Sequence, residues 1–273
     1  MRRIGFILLY VVLAFVAIFQ IFPIIWLVLF SLKSNQENFA GNPFALPTDP
    51  KWENYLKVFE GGIGIYFWNS VWITALATVL TILVASMATY AITRMHWKYS
   101  GLVLGIIMIG LMIPVHSALI PLYNMFTNVN LIDNPLSIVI TYTTYNLPIT
   151  VMILFGFYTT IPREIEEAAI IDGSSIHRMF FRIILPISAP IMSTTVIINM
   201  IYNWNEFVFV NTFISSDKFK TLTVGIQNFI GQYMTDWGAI GATLVISVLP
   251  IIIAFLFFSE KIMEGITASA VKG

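Results

Sequence analysis

Apolar runs long enough to cross a bilayer recur along this 273-residue chain, with little charge between them. A helix needs about 20 consecutive apolar residues to span the hydrocarbon core. Six segments meet that length, at residues 4–32, 66–92, 102–123, 136–158, 189–214 and 239–258. Backbone polar groups in lipid must be satisfied inside a helix or a closed barrel, and the alternation of barrel strands is absent. The expectation is an all-α, polytopic membrane protein with six transmembrane helices, one domain over residues 1–273. Composition agrees, because 58% of residues are hydrophobic and only 10% charged, against about 45–50% apolar in soluble domains.

The first run follows Arg2 and Arg3 and so has to be separated from a signal peptide. Its apolar stretch is about 25 residues, beyond the roughly 7–15 of a signal h-region. No small-x-small cleavage site precedes Lys33, which makes the segment a retained anchor. Cysteine is absent, so disulfides and thiolate chemistry play no part. Lys and Arg placement sets orientation. With six crossings and a cytoplasmic N-terminus, the inside holds Arg2, Arg3, Arg94, Lys98, Arg163, Arg178, Arg182, Lys261 and Lys272. The outside holds Lys33, Lys51, Lys57, Lys218 and Lys220. Both termini are therefore placed in the cytoplasm, and the zero net charge gives no sign of a nucleic-acid partner.

Two outer segments stand out. Residues 34–65 are punctuated by proline and aromatic residues, and residues 213–238 are too polar to span and read as an interfacial or short re-entrant helix. Each either contacts an external partner or simply rests on headgroups.

On the cytoplasmic side lies one polar island, P-R-E-I-E-E-A-A-I-I-D-G-S-S-I-H-R-M-F-F-R-I-I-L-P, Pro162 to Pro186. Thr160 suits an N-cap and Pro162 a first helical turn. Glu164, Glu166 and Glu167 crowd the positive end of that helix. Asp172-Gly173 suits its C-terminus, where glycine takes positive φ cheaply. Ser174 or Ser175 then caps a second helix that ends at Pro186. Physically this helix–glycine–helix wedge fits either a groove in another protein or the membrane surface.

Glu167-Ala168-Ala169, Asp172-Gly173 and Ile184-Leu185-Pro186, between the fourth and fifth spans, resemble the signature of the coupling loop in ATP-binding-cassette (ABC) importer permeases. The resemblance implies a type I importer permease fold and places Glu167, Ala168, Ala169, Asp172 and Gly173 against a partner ATPase. Arg178 and Arg182 would then hold the loop to headgroups or neighbouring helices. The N-W-N-E-F of residues 203–207 and the terminal G-I-T-A-S-A-V-K-G of residues 265–273 are similar to the carbohydrate-uptake branch, specifically the maltose-permease G-type subunit and its relatives. That likeness implies a cytoplasmic tail over residues 259–273 with ATPase contacts at Gly265, Thr267, Lys272 and Gly273. Ser269 departs from the glycine common in relatives, a small-for-small change.

Glu206 is the one acidic residue well inside a span, and burying it unpaired costs at least about 2.5–3.5 kcal/mol on insertion scales. Two readings stand. Asn203, Asn205 and Glu206 line a translocation pathway with Trp204 as a stacking platform, or Glu206 is tied to a neighbouring helix. Asn124, Asn146 and Asn199 are weaker pathway candidates or interhelical glue. Pro114, Pro121, Pro148 and Pro250 kink helices within or at the ends of spans. His96, His116 and His177 lack metal-ligand spacing, and no nucleophile–base pair, Walker loop or phosphate cradle appears. No catalytic residue or cofactor is assigned to the chain; ATP and Mg would be used by a partner ATPase.

The resemblance implies a permease subunit of a binding-protein-dependent importer in a prokaryotic plasma membrane, moving a sugar or oligosaccharide by alternating access. Its implied partners are an ABC ATPase dimer, a second homologous permease and an extracellular solute-binding protein. A polyol or glycerol-phosphate cargo is the nearer alternative. A standalone secondary transporter is the farther one, which would call for inverted repeats or several paired intramembrane charges.

Overall fold

A computed structural model describes residues 2–40, 42–95, 97–230 and 235–270, with side chains described over 5–39, 42–95, 97–230 and 235–259. The elements are helices: α1 (Arg2–Ser31), α2 (Asn35–Ala40), α3 (Glu53–Glu60), α4 (Ile63–Arg94), α5 (Ser100–Ile109), α6 (Leu119–Asn128) and α7 (Pro135–Tyr158). They continue as α8 (Glu164–Ile171), α9 (Ile176–Met179), α10 (Leu185–Ile187), α11 (Ala189–Asn205), α12 (Val208–Phe213), α13 (Leu222–Gly225) and α14 (Trp237–Ala270). Among the described residues, four helices are long and apolar enough to cross a membrane by length and composition: Gly5–Ser31, Ile63–Arg94, Pro135–Tyr158 and Trp237–Ser259.

Two expected spans are not single helices. Residues 102–123 divide into α5, a turn from Gly110 to Pro114, one 3-10 turn (Val115–Ala118) and the start of α6. Pro114 has no N–H to donate and pushes the residue before it out of the helical region, which is enough to stop the helix. Residues 189–214 divide at Glu206, whose backbone is extended (φ −69°, ψ 133°) between α11 and α12. Here a side chain competes with the backbone: the Glu206 carboxylate accepts the Phe209 N–H at 2.8 Å and the Val210 N–H at 3.4 Å, starting a new helix. The last helix, conversely, runs past residue 258 to Ala270. Ahead of α14, the described part of the 213–238 segment forms short helical turns at Asp217–Phe219, Leu222–Gly225 and Ile226–Phe229 and one isolated antiparallel bridge between Ile230 and Thr235.

Packing groups the described residues into two units, 1–65 with 225–250, and 66–224 with 251–273. In the first, residues 5–25 of α1 are exposed throughout. Asn54 of α3 donates to Ser31 O at 2.8 Å and Lys33 O at 3.1 Å, securing the end of α1. Gly238 lets α14 approach that amide, since a Cβ there would lie 2.3 Å from Asn54 Nδ2. Asp236 accepts the Ala239 N–H at 3.1 Å as a helix cap and pairs with Lys57 at 2.9 Å. Burial alone would raise the Asp236 carboxyl, but the Lys57 ammonium and the Ala239 and Gly238 N–H groups hold it below its ordinary value. Glu37 caps its own turn by accepting from Thr48 and Ser34, which lowers its carboxyl to about 2.

In the second unit α7 is central, packed by α5, α11 and α12. It opens with Pro135 in its first turn and Asn134 as N-cap, accepting the Leu136 N–H at 3.0 Å. One apolar core gathers Ile73, Phe126, Tyr142, Phe209 and Phe213; another gathers Tyr90, Leu154, Tyr158, Ala169, Phe180 and Ile184. Between α7 and α11 runs a buried polar ladder. Asn146 donates to Asn203 Oδ1 at 2.7 Å, and Asn199 to Thr150 Oγ1 at 3.1 Å. Asn146 and Asn199 thus act as interhelical ties, each worth about 0.6 kcal/mol on average.

Candidate functional site

The polar island folds as a helix–glycine–helix wedge, with local differences from the expectation. Thr160 does not cap α8; its hydroxyl donates back to Phe157 O at 2.8 Å, closing the end of the preceding helix. Glu164, Glu166 and Glu167 do occupy the first turn of α8, where the helix dipole favours negative charge. At the other end Gly173 takes φ +74°. Its N–H reaches Ile170 O at 2.9 Å and the Ser174 N–H reaches Ala169 O at 2.9 Å, the two bonds of a Schellman cap. Ser175 then caps α9, accepting the Arg178 N–H at 3.4 Å.

Pro186 does not end the second helix. A π turn over Phe180–Ile184 widens the backbone, the Leu185 N–H bonding to Phe180 O, and moves the Arg182 carbonyl out of the proline ring's way. Helix Ile176–Ile187 therefore continues and meets α11 at a 75° bend. Arg178, Arg182, His177 and Phe181 line an open cavity of about 430 Å³ on its outer face.

The faces of α8 are sharply divided. Glu164, Glu167, Ala168 and Ile171 are exposed at helical spacing, and Asp172 and Gly173 continue that surface. Ala169 points the other way, 6% exposed in the core with Tyr158, Met179 and Phe180, so its methyl is engaged by the chain itself. Ile170 and Ile171 are 61% and 85% exposed, a pair of large apolar groups that motif reading passed over. Their signal was present, since two isoleucines flanked by charge have no core to enter.

Glu166, on the inward side, meets Arg94 at the end of α4, Nε to Oε1 at 3.1 Å, with side-chain exposures of 14% and 6%. The same guanidinium donates to Tyr158 O and, at 2.8 Å, to Ile161 O, carbonyls at and just past the C-terminal end of α7, the first of which also accepts the Ile161 N–H at 3.2 Å. Sequence reasoning counted Arg94 only as a topology charge.

A second constellation surrounds the break at Glu206. Its carboxylate caps α12 and accepts the Tyr142 hydroxyl at 3.1 Å, while His116 Nε2 stands 3.9 Å away. The Thr223 hydroxyl donates to the Glu206 carbonyl at 2.8 Å. Asn205 is exposed, donating to Ile201 O at 2.8 Å. Asn205 and Glu206 line a cavity of about 620 Å³ with Val115, His116, Tyr145 and Tyr202. Asn203 and Trp204 stand behind it. Asn203 is buried in the α7–α11 ladder and donates to Thr78 Oγ1 at 3.3 Å. Trp204, expected to offer its face to a ligand, is 6% exposed, its ring edge-on to Phe67 with centroids 5.9 Å apart. The aromatic surface in the cavity comes instead from Phe207, the last residue of that motif, and from Tyr145, Tyr202 and His116, which no motif marked. Of the tail residues, Gly265 and Thr267 fall within the backbone of α14; Lys272 and Gly273 lie outside the described residues.

Residues 82–262 match the model of a family described as "Binding-protein-dependent transport system inner membrane component". The chain is 33% identical over 254 residues to the sulfoquinovosyl glycerol transport system permease protein SmoH of Agrobacterium fabrum, covering 93% of this chain and 89% of that protein. It is 32% identical over 262 residues to the trehalose/maltose transport system permease protein MalG of Thermococcus litoralis, covering 94% and 93%. Its fold is similar to that of a chain from a bacterial ABC transporter involved in import of the acidic polysaccharide alginate, with TM-score 0.80 at 20% identity over 94% of this chain and 96% of that one.

Proposed function

Since this chain belongs to the binding-protein-dependent transport system inner membrane components, as a carbohydrate-uptake ABC permease, we propose that it forms one half of a sugar-translocating pore. It crosses the prokaryotic plasma membrane six times with both termini inside, each broken helix pair counting as one crossing. A second, homologous permease forms the other half, an extracellular solute-binding protein delivers a sugar or oligosaccharide, and an ABC ATPase dimer supplies the energy from ATP and Mg.

The observation that carries this reading is α8, a short helix with one face built into the chain's own core and the other, Glu164, Glu167, Ala168 and Ile171, left open. A surface loop resting on headgroups has no use for a Schellman-capped helix pinned by a buried ion pair. A helix that receives force from another protein does. Closure of the ATPase dimer on ATP brings the two α8 helices of the permease pair together and turns the halves from inward-open to outward-open. The aromatic and carboxamide lining of the 620 Å³ cavity suits the apolar faces and hydroxyl edges of a sugar passing it. Glu206 serves that lining by holding the helix break in place.

The test is to tag the chain in its native membrane, extract it gently and identify what co-purifies. An ABC ATPase, a second permease and a sugar-binding protein are the expected companions, and the binding protein then identifies the cargo by ligand screening. Recovery of the chain alone, under conditions that preserve another membrane complex, would overturn the reading.

A further inference from the structure

Arg94 is more than a topology charge. Its guanidinium sits where three helix ends converge: the last turn of α4, the Tyr158 and Ile161 carbonyls at and just past the end of α7, and the first turn of α8 through Glu166. The electrostatics agree at all three. A cation belongs at the C-terminal ends of α4 and α7, and a carboxylate belongs at the N-terminal end of α8. One turn earlier on the same face of α4, the Tyr90 hydroxyl donates to Met179 Sδ at 3.2 Å and its ring lies tilted against Phe180, centroids 5.2 Å apart. Tyr90 thus grips the second limb of the wedge while Arg94 grips the first.

The same helix carries contacts at its far end. Asn69 donates to Lys218 O at 2.8 Å and Lys220 O at 3.0 Å, Ser70 accepts the Leu222 N–H at 2.8 Å, and midway Thr78 accepts from Asn203 at 3.3 Å. A continuous helix of 32 residues, about 48 Å at 1.5 Å per residue, therefore joins the α8 wedge to the polar ladder behind the cavity and to the 218–222 loop.

We propose that Arg94 is the positioning residue that couples α8 to α4, so that movement imposed on α8 is carried by α4 as a rigid lever to the cavity and the 218–222 loop. A buried ion pair suits this task because separating its partners leaves an uncompensated charge in the interior, which penalises any shift of α8 away from α4. The proposal rests on the reading that the open face of α8 docks on the ATPase.

The test uses the whole importer complex with other reactive thiols removed. The chain has no cysteine, so Ile170→Cys and Met87→Cys introduce its only two labelling sites, on the flank of α8 and the outside of α4. Spin labels there report the α8–α4 distance by double electron–electron resonance. With Arg94 intact the distance is expected to stay narrow and unchanged between nucleotide-free and ATP-bound states. In Arg94→Gln and Glu166→Gln it broadens, and sugar delivered per ATP falls at least about five-fold, the lower end of couplings between sites, with the ATPase still co-purifying. Arg94→Lys, which keeps charge but loses the fork, falls between and guards against a folding failure. A distance that shifts with nucleotide in the intact protein overturns the lever, as does an unchanged distance in the Gln variants. Unchanged ATPase binding and transport in Glu167→Lys with Ile171→Asp would overturn the docking reading itself, apart from any result at Arg94.

Discussion

Gly173 offers a clean separation between what the chain demands of itself and what a partner demands of it. Its φ is +74° and nothing lies within 4 Å of where a Cβ would stand. The whole intramolecular cost of a side chain is then backbone strain, about 1–2 kcal/mol for alanine in the left-handed region, and less for asparagine, which visits that region routinely. In populations this is a factor of about 5–30. The two Schellman N–H groups, at positions 173 and 174, report it directly through amide hydrogen exchange. Gly173→Ala should lose about 5–30-fold protection there, Gly173→Asn clearly less, and uptake at matched expression should follow the same order. Equal loss in the two variants would refute the strain argument and put the constraint in a partner's surface pressed against the glycine. No loss in Gly173→Ala would refute the claim that the capped turn sets the wedge.

Other substitutions probe the remaining contacts. Ala169→Asp places a carboxylate in the chain's own core and should lower thermal stability in detergent by several kcal/mol (about the effective penalty per buried ion), while exposed Ala168→Asp should stay within about 0.5 kcal/mol. Glu206→Ala removes the cap of α12 and leaves the Tyr142 hydroxyl without its acceptor, costing about 1–3 kcal/mol. Glu206→Gln, which retains an acceptor, should cost less in the same thermal measurement. Asp236 titrates below its ordinary value of 3.8, so the folded state binds fewer protons than the unfolded state in the acid range. Its contribution is complete above that value and is lost as pH falls through the lowered pKa. Unfolding followed against pH should show this acid-side loss in the wild type and a shallower one in Asp236→Asn.

Much of the helical layout was legible because hydropathy and bilayer length are strong, local signals. The wedge was legible for a different reason: glutamates in a first turn, Asp172-Gly173 at an end and Ser175 at a start each act on backbone groups a few residues away. Hydropathy could not see the two interrupted segments, since it averages composition and ignores donors. Pro114 removes an N–H and Glu206 supplies an acceptor, and neither changes the mean hydropathy of its run much. Trp204 and Ala169 were assigned by residue type to faces that only packing defines. Arg94 and Glu166 are far apart in sequence, and no periodicity joins them; their pairing is a property of how α4, α7 and α8 end together.

Residues 5–21 of α1 are exposed throughout, and its ring contacts with other segments begin only at Phe22, which meets Phe44. Natural sequence drift there is consequently bounded by lipid solubility alone, so far as this subunit is concerned. Any exchange of one aliphatic side chain for another should be silent in the isolated protein, and the segment is free to be rewritten. An alanine scan of residues 5–21 in the assembled membrane complex would therefore have almost no background. Every position that registered would belong to the footprint of a neighbour, and the scan would read as a map of that neighbour's surface drawn on this chain.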